Sequence, residues 1–361
     1  MDIKKSLSFP GKIVVVTSAA NANEDDFYSG EYLLEKYGAA KIIHLTWPDN
    51  YSIKNRKVID TLADLGTDAE IRALVLNQAL PGASIVADNF REKRGDVFIV
   101  FCTNHESPSE ASKHANLILR TDEIGMGLEV GKQAKKQGAK TLVHYSFPRH
   151  MSIKAASNQR DLIKKACETK GIQFMDALAA DPTDEAGINN ARQFILDDVP
   201  RMVSMYGEDT AFFCTNCHLQ APLIKAVVDC HAIYPLPCCP SPYHGFPEAL
   251  GIETGEGRAD LNYLINEISR IAAGKNMTDR LSTWPVSTSI MYADAGAAYA
   301  IKWIEGEVPK DIIDNKVLID CMNAYIEEVV GEESNVYMKS FSENGVTYEN
   351  LKLILMSCLD F

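Results

Sequence analysis

The chain has 361 residues, 46% of them apolar, nine cysteines and a formal charge of −13. That size exceeds the usual range of one domain and predicts two, each with a core of its own. The acidic excess, with Lys and Arg scattered and paired as KK only at Lys4, Lys135 and Lys164, argues against nucleic acid as a direct partner, and no apolar run approaches the roughly 20 residues that cross a bilayer.

The opening "MDIKKSLSFP" has basic residues but no apolar segment of a signal peptide, and an odd cysteine count without regular spacing suits a reducing compartment. The chain as written is therefore expected in the cytoplasm, or outside it if an export signal has been trimmed. From Gly11 to Asp122, short β-branched runs alternate with helix-length amphipathic segments. The runs are "KIVVVTS", "KIIHLTW", "IRALVLNQA", "DVFIVFCTN" and "NLILRTD", and the helices between them are expected over Asp25–Tyr37, Ile53–Leu65 and Ser84–Arg94. Near-continuous apolar runs mark parallel strands covered on both faces, so this is a βαβ series.

A second series follows: "KTLVHYSFP", a helix over Ser152–Thr169, "IQFMDAL", a helix over Glu185–Met205, "DTAFFCTN", and a helix over Leu219–Val228. It continues with "HAIYPLP", "ALGIET" and a helix over Ala259–Ala273. After "RLSTWPVSTS" a helix is expected over Ile290–Glu305, then a further helix, a hairpin-like "SNVYMKSFSENGVTYEN" and a terminal apolar "LKLILMSCL". The tetrapeptide FCTN closes a late strand in each series, at Phe101–Asn104 and Phe213–Asn216.

The fold class is thus α/β, two doubly wound parallel-sheet lobes joined by crossing segments. The first lobe is expected over 1–122 plus about 286–308, the second over 123–285, and residues 309–361 are expected to pack on the second. In open α/β sheets ligands bind outside the carboxyl ends of the strands. The residues there are Ser18, Trp47, Asn77, Gln78, Thr103 and Asn104 in the first series, and Phe147, Arg149, His150, Asn216 and Tyr243 in the second. Hydroxyls, carboxamides and aromatic faces suit a small polar molecule, and Arg149, held in a loop by Pro148, offers a fork to a carboxylate or phosphate. The competing readings are a helix cap for a strand-end Thr or Asn, a surface ion pair for Arg149 and core packing for Trp47.

"CTNCH", Cys214–His218, matches the C-x-x-C-H pattern of haem attachment, but Cys214 falls on a strand and its counterpart Cys102 has no second cysteine. Zinc has more material in Cys217, His218, Cys238, Cys239 and His244, which could converge at the rim. Only one C-x-x-C pair exists, so no metal and no cofactor is assigned. For catalysis, His105 with Glu106, His150, and Cys217 with His218 are available, without any G-x-S-x-G, P-loop or dinucleotide fingerprint.

"LILRTDEIGMGLEVGKQAKKQGAKTLVHYSFP" resembles the first crossing of the type I periplasmic-binding-protein fold, shared by sugar receptors and the effector domains of lac-repressor-type regulators. "RLSTWPVSTSIMYADAGAAYAIKWIEGE" resembles the return crossing, and the resemblance covers about Gly11 to Gly306. More narrowly, "LVLNQALPG", "VHYSFPRHMS" and "FFCTN" resemble an uncharacterised bacterial family of unknown function in this fold group, with exported members. The resemblance implies ligand contacts at Ser18 and Ala19, Thr103 and Asn104, Arg149 or Arg160, Asn216, and Thr283–Ser287 with Trp284. The expected function is non-catalytic binding of a small polar solute (a sugar, amino acid, nucleoside or carboxylate) in a cleft closed by hinge motion. The alternatives are an effector sensor acting through a protein partner or as a homodimer, and a zinc-dependent or other enzyme using the Cys/His cluster.

Overall fold

The computed structural model describes residues 9–48, 56–183, 187–254, 260–331 and 335–361. The expected starts at Ile53, Glu185, Ala259 and Ser334 lie outside the described residues. In chain order come β1 (Lys12–Thr17), α1 (Glu24–Tyr37), β2 (Ile42–Thr46), α2 (Arg56–Leu65), β3 (Ile71–Leu76), α3 (Ala83–Lys93), β4 (Phe98–Cys102), α4 (Pro108–His114) and β5 (Leu117–Thr121). Then follow α5 (Glu123–Lys136), β6 (Thr141–Ser146), α6 (Pro148–Met151), α7 (Lys154–Thr169), β7 (Gln173–Leu178), α8 (Gly187–Tyr206), β8 (Thr210–Cys214), α9 (Gln220–Asp229), α10 (Phe246–Leu250) and α11 (Leu261–Gly274). The chain ends with β9 (Ser282–Thr283), α12 (Thr288–Glu305), α13 (Asn315–Val330), β10 (Val336–Glu343), β11 (Val346–Met356) and β12 (Leu359–Asp360).

These elements form two compact units, Met1–Thr121 with Thr288–Leu355, and Asp122–Ser287 with Met356–Phe361. The first carries a seven-stranded sheet in the order β10-β11-β5-β4-β3-β1-β2. Its central strands are the β-branched runs: Ile13 to Val15 of β1 are wholly buried, as are Leu74 to Leu76 of β3 and Ile99 to Phe101 of β4. Strand pairing is parallel from β2 through β11, for example Val16 beside Leu76 and Leu351 beside Ile118. One face packs Phe90, Trp47 and Ala83 against Val14, Leu74 and Phe101. On α12, Gly296 lets the helix backbone approach Val100 of β4.

The placement of 309–361 on the second lobe is corrected here: α13, β10 and nearly all of β11 belong to the first unit. The cause is the parallel ladder of β11 on β5, which covers what would be an exposed sheet edge. The hairpin turns on Asn344 and Gly345, both at positive φ, the requirement of a tight two-residue turn. Only Met356–Phe361 returns to the second unit, where β12 pairs with β9.

The second unit has a parallel sheet in the order β7-β6-β8. "HAIYPLP" continues it only as single bridges, Ala211 to Ile233 and Tyr234 to Leu281. "ALGIET" forms no strand; Pro247 at the first turn and Gly245 and Gly251 at the ends make Phe246–Leu250 a short helix instead. The core gathers Tyr145, Phe212, Ile224, Tyr234, Phe246 and the terminal Phe361.

Candidate functional site

In the first unit the chain leaves β1 towards β2 on one side, and β3 leads on to β4 on the other, so the strand order reverses between β1 and β3. Such a reversal opens a crevice at the carboxyl ends, where ligands bind in this sheet class. Ser18 follows β1 and Asn77 follows β3. The Ser18 N–H donates to Asp26 Oδ2 at 2.5 Å, and Asn77 Nδ2 donates to Asp26 Oδ1 at 2.7 Å, to Ser29 Oγ at 2.8 Å and to the Ser289 carbonyl at 3.1 Å. Asn77 Oδ1 is buried with no hydrogen-bond partner among the described residues. Burial pushes the Asp26 carboxyl up to about 6, against the opposing pull of the Ser18 and Asn77 donors.

The rest of this rim is tied into its own loops. Gln78 Oε1 lies 2.7 Å from His105 Nε2. Asn104 Nδ2 donates to the Glu106 carbonyl at 2.8 Å and its Oδ1 accepts from the Glu106 N–H at 3.3 Å. Glu106 accepts from the Gly82 N–H at 2.7 Å and from Ser84, which makes its carboxylate the cap of α3. Trp47 is 2% exposed with its indole N–H on the Gln78 carbonyl at 2.9 Å, so it packs as core. Thr103 stands at φ 46°, a left-handed conformation that a β-branched residue rarely adopts.

In the second unit the order reverses between β6 and β8. The two carboxyl ends meet in a bond between His150 Nδ1 and Thr215 Oγ1, 3.1 Å. The His150 imidazole is lowered from its usual range by burial and then by the neighbouring Arg149 charge. Arg149 is bidentate to Asp181, at 2.8 and 3.1 Å, with its guanidinium 5.2 Å from the buried Phe147 ring, whose centroid lies 4.2 Å from that of His150. Arg149 holds the Asp181 carboxyl well below the usual range. Arg160 pairs instead with Asp176. Asn216 Oδ1 accepts from the His218 N–H at 2.9 Å, capping the turn Cys217–Leu219 before α9. Trp284 is fully buried and donates to the Pro237 carbonyl at 3.1 Å; Tyr243 is half-buried against the core.

The two FCTN copies therefore share a backbone device. In each, the Asn carboxamide accepts from an N–H two residues ahead and closes the turn after a buried strand. They differ at Thr103, whose positive φ is not repeated at Thr215.

The cysteines separate. Cys214 is enclosed in the core, away from the exposed Cys217, so the C-x-x-C-H spacing does not put two sulfurs on one face. Cys217, Cys238 and Cys239 do come together, with all three sulfurs within 4.8 Å of one another, and neither His218 nor His244 joins that group. Asp26, Asp181 and Gln220 were not legible as site residues. Asp26 sits on a helix among three acidic first-turn residues, where helix-dipole compensation accounts for it equally well.

The family model described as a protein of unknown function, DUF3798, matches residues 11–282, and the chain belongs to that family. An uncharacterised protein of Treponema pallidum (strain Nichols) is 33% identical over 164 residues, 45% of this chain and 76% of that protein. Among solved structures, a proposed transcriptional regulator from Clostridium difficile 630 superposes with a TM-score of 0.85 at 20% identity, covering 98% of this chain and 100% of that one. A substrate-binding protein of a sugar ABC transport system from Bordetella parapertussis 12822 gives 0.52 at 11% identity, over 97% and 89%. The fold is the two-lobe, type I periplasmic-binding-protein-like one.

Proposed function

We propose that this member of the DUF3798 family binds a small polar solute, of the class of sugars, amino acids, nucleosides and small carboxylates, without chemically altering it. The observation that carries the reading is that both sheets reverse their strand order at the places where the polar candidates collect: Ser18 and Asn77 between β1 and β3, and Phe147–His150 with Thr215 and Asn216 between β6 and β8. The groups proposed to meet a solute are Ser18, Thr103 and the Gln78–His105 pair at the rim of the first unit, and Arg149 and His150 at the rim of the second. Because Arg149 already holds Asp181, a carboxylate ligand would have to take that partner's place, and a sugar could share it. Trp47, Phe147 and Trp284, being buried, act beneath these groups rather than as stacking faces.

Calorimetry and thermal shift against that panel test the reading: saturable binding with one-to-one stoichiometry by any class supports it. Failure of every class to move the melting temperature or release heat would overturn it. A second reading, an effector sensor in a regulator, is favoured by the likeness of the whole chain to the Clostridium difficile protein. With a charge of −13 the signal would pass through a protein partner rather than DNA. Solute-dependent co-purification of one partner, with no retardation of DNA at low salt, distinguishes it.

A further inference from the structure

We propose that Cys217, Cys238 and Cys239 form a three-thiolate site for a thiophilic divalent metal ion of the zinc class, with its fourth position open to solvent or to an exogenous ligand. Zinc holds thiolate sulfur at about 2.3 Å, so two sulfurs on a tetrahedral ion stand about 3.8 Å apart. The Cys217–Cys238 and Cys238–Cys239 sulfur separations are 4.0 and 3.8 Å. Two of the three edges thus already have the spacing that a metal would impose. The third edge, Cys217 to Cys239, is a disulfide here. A thiol or phosphine reductant supplies two electrons, two protons complete the thiols, and the pair is then free to open into an equivalent edge.

The surroundings hold the sulfurs in place. Cys238 and Cys239 lie in "PLPCCPSP", where four prolines restrict the backbone. That loop is fastened by Trp284 Nε1 on the Pro237 carbonyl at 3.1 Å, by Ser282 Oγ on the Pro235 carbonyl, and by the Ser241 N–H on the Cys239 carbonyl at 2.8 Å. Cys217 opens the turn that leads into α9, at the positive end of the helix dipole, which stabilises a thiolate. Gln220 Nε2 donates to Cys238 Sγ at 3.0 Å, and its Oε1 accepts from Tyr234 Oη, which aims the amide at the sulfur. This is the outer-shell arrangement that metal ligands use. Burial pushes the metal-free Cys238 thiol up to about 12; a divalent ion reverses this, and loading releases one proton per thiol. Among the described residues no histidine or carboxylate completes the group, and Cys217 is exposed, so the fourth position faces outward.

The test uses the full chain, reduced with a phosphine, stripped of metal and titrated anaerobically with cobalt(II). One equivalent is expected, with an intense thiolate-to-cobalt charge-transfer band of three-sulfur strength and tetrahedral ligand-field bands, all abolished by added zinc. Cys238→Ser should weaken binding at least tenfold, and Cys230→Ser should not. In wild-type protein, zinc should protect Cys217, Cys238 and Cys239, and no other cysteines, from alkylation mapped by peptide mass. The proposal is overturned if no band forms on protein whose circular dichroism is native, if Cys238→Ser binds as wild type, or if other thiols are the protected ones. Should Cys238→Ser fail to fold, the wild-type alkylation map decides alone.

Discussion

Thr103 concentrates what the first unit's rim asks of a single residue. A β-branched side chain at φ 46° costs about 1–3 kcal/mol. Glycine removes that strain and returns roughly 0.5–1 kcal/mol of it as unfolded-chain entropy. Thr103→Gly is therefore expected to raise the unfolding free energy by about 1 kcal/mol in urea titration while weakening solute binding. Thr215→Gly, at the matched position without positive φ and with its hydroxyl on His150, should lower stability instead. Equal signs at the two sites would remove the strain argument. Asp26 makes a second, separable case. Its folded-state carboxyl stands at about 6, above the usual unfolded value near 3.9, so the folded chain holds the extra proton. The stabilising contribution is full below the unfolded value and is lost as pH rises through about 6. Asp26→Asn removes this titration. Its stability relative to wild type should improve by about 2 kcal/mol between pH 4 and pH 7, and a flat difference would count against the burial of that charge. Asp294, shifted the same way by burial, titrates in both proteins and cancels.

At the scale of elements, α5 and α7 pack without room for larger side chains. A Cβ at Gly127 would lie 2.6 Å from the Gln159 carbonyl oxygen, and one at Gly131 would overlap the Cβ of Ala166. Gly131→Ala should cost about 1–3 kcal/mol by overpacking, despite the better helix propensity of alanine. The double variant Gly131→Ala with Ala166→Gly should recover part of that loss, less the propensity cost of the new glycine. Absence of recovery in chemical denaturation would show that the close approach lies elsewhere. This contact explains the glycine-containing "EIGMGLEVG" that sequence reading could place on a helix without saying what it met. Strand runs such as "KIVVVT" and "TAFFC" were legible because continuous apolar stretches admit few other fates. The destination of β11 was not, because a parallel ladder between Leu351 and Ile118 joins segments more than 200 residues apart and leaves no local pattern. The short helix Pro108–His114 was missed although Ser107 and Glu110 signal it, with the Ser107 hydroxyl accepting from the Glu110 N–H. At the site, the polar identity of the rim was readable. Partners such as Asp26, Asp181 and Gln220 were not, since each reaches its target from another element.

For the whole molecule, a solute bound at the rim of either unit is linked to the stability of the chain. A ligand that binds only the folded chain stabilises it by about 2.7 kcal/mol at a hundred times its dissociation constant. Ser18→Ala deletes a hydroxyl that, with the backbone N–H of the same residue, hydrogen-bonds the buried Asp26 carboxylate, so the fold should lose about 1 kcal/mol. Arg149→Ala breaks a partly exposed pair with Asp181 that, screened by solvent, contributes little to the stability of the free protein. Whichever of the two residues stands at the rim that holds the solute, its loss should reduce affinity about tenfold, which at the same solute concentration lowers the stabilisation by about 1.3 kcal/mol. Titration calorimetry on both variants checks the affinities, and thermal shift checks the linkage. If Arg149→Ala leaves affinity untouched while Ser18→Ala abolishes it, the solute belongs to the first unit alone. The second unit is then left with the cysteine cluster as its own chemistry. If Ser18→Ala leaves affinity untouched while Arg149→Ala abolishes it, the solute belongs to the second unit, because removing a group that does not touch the ligand leaves its binding free energy unchanged.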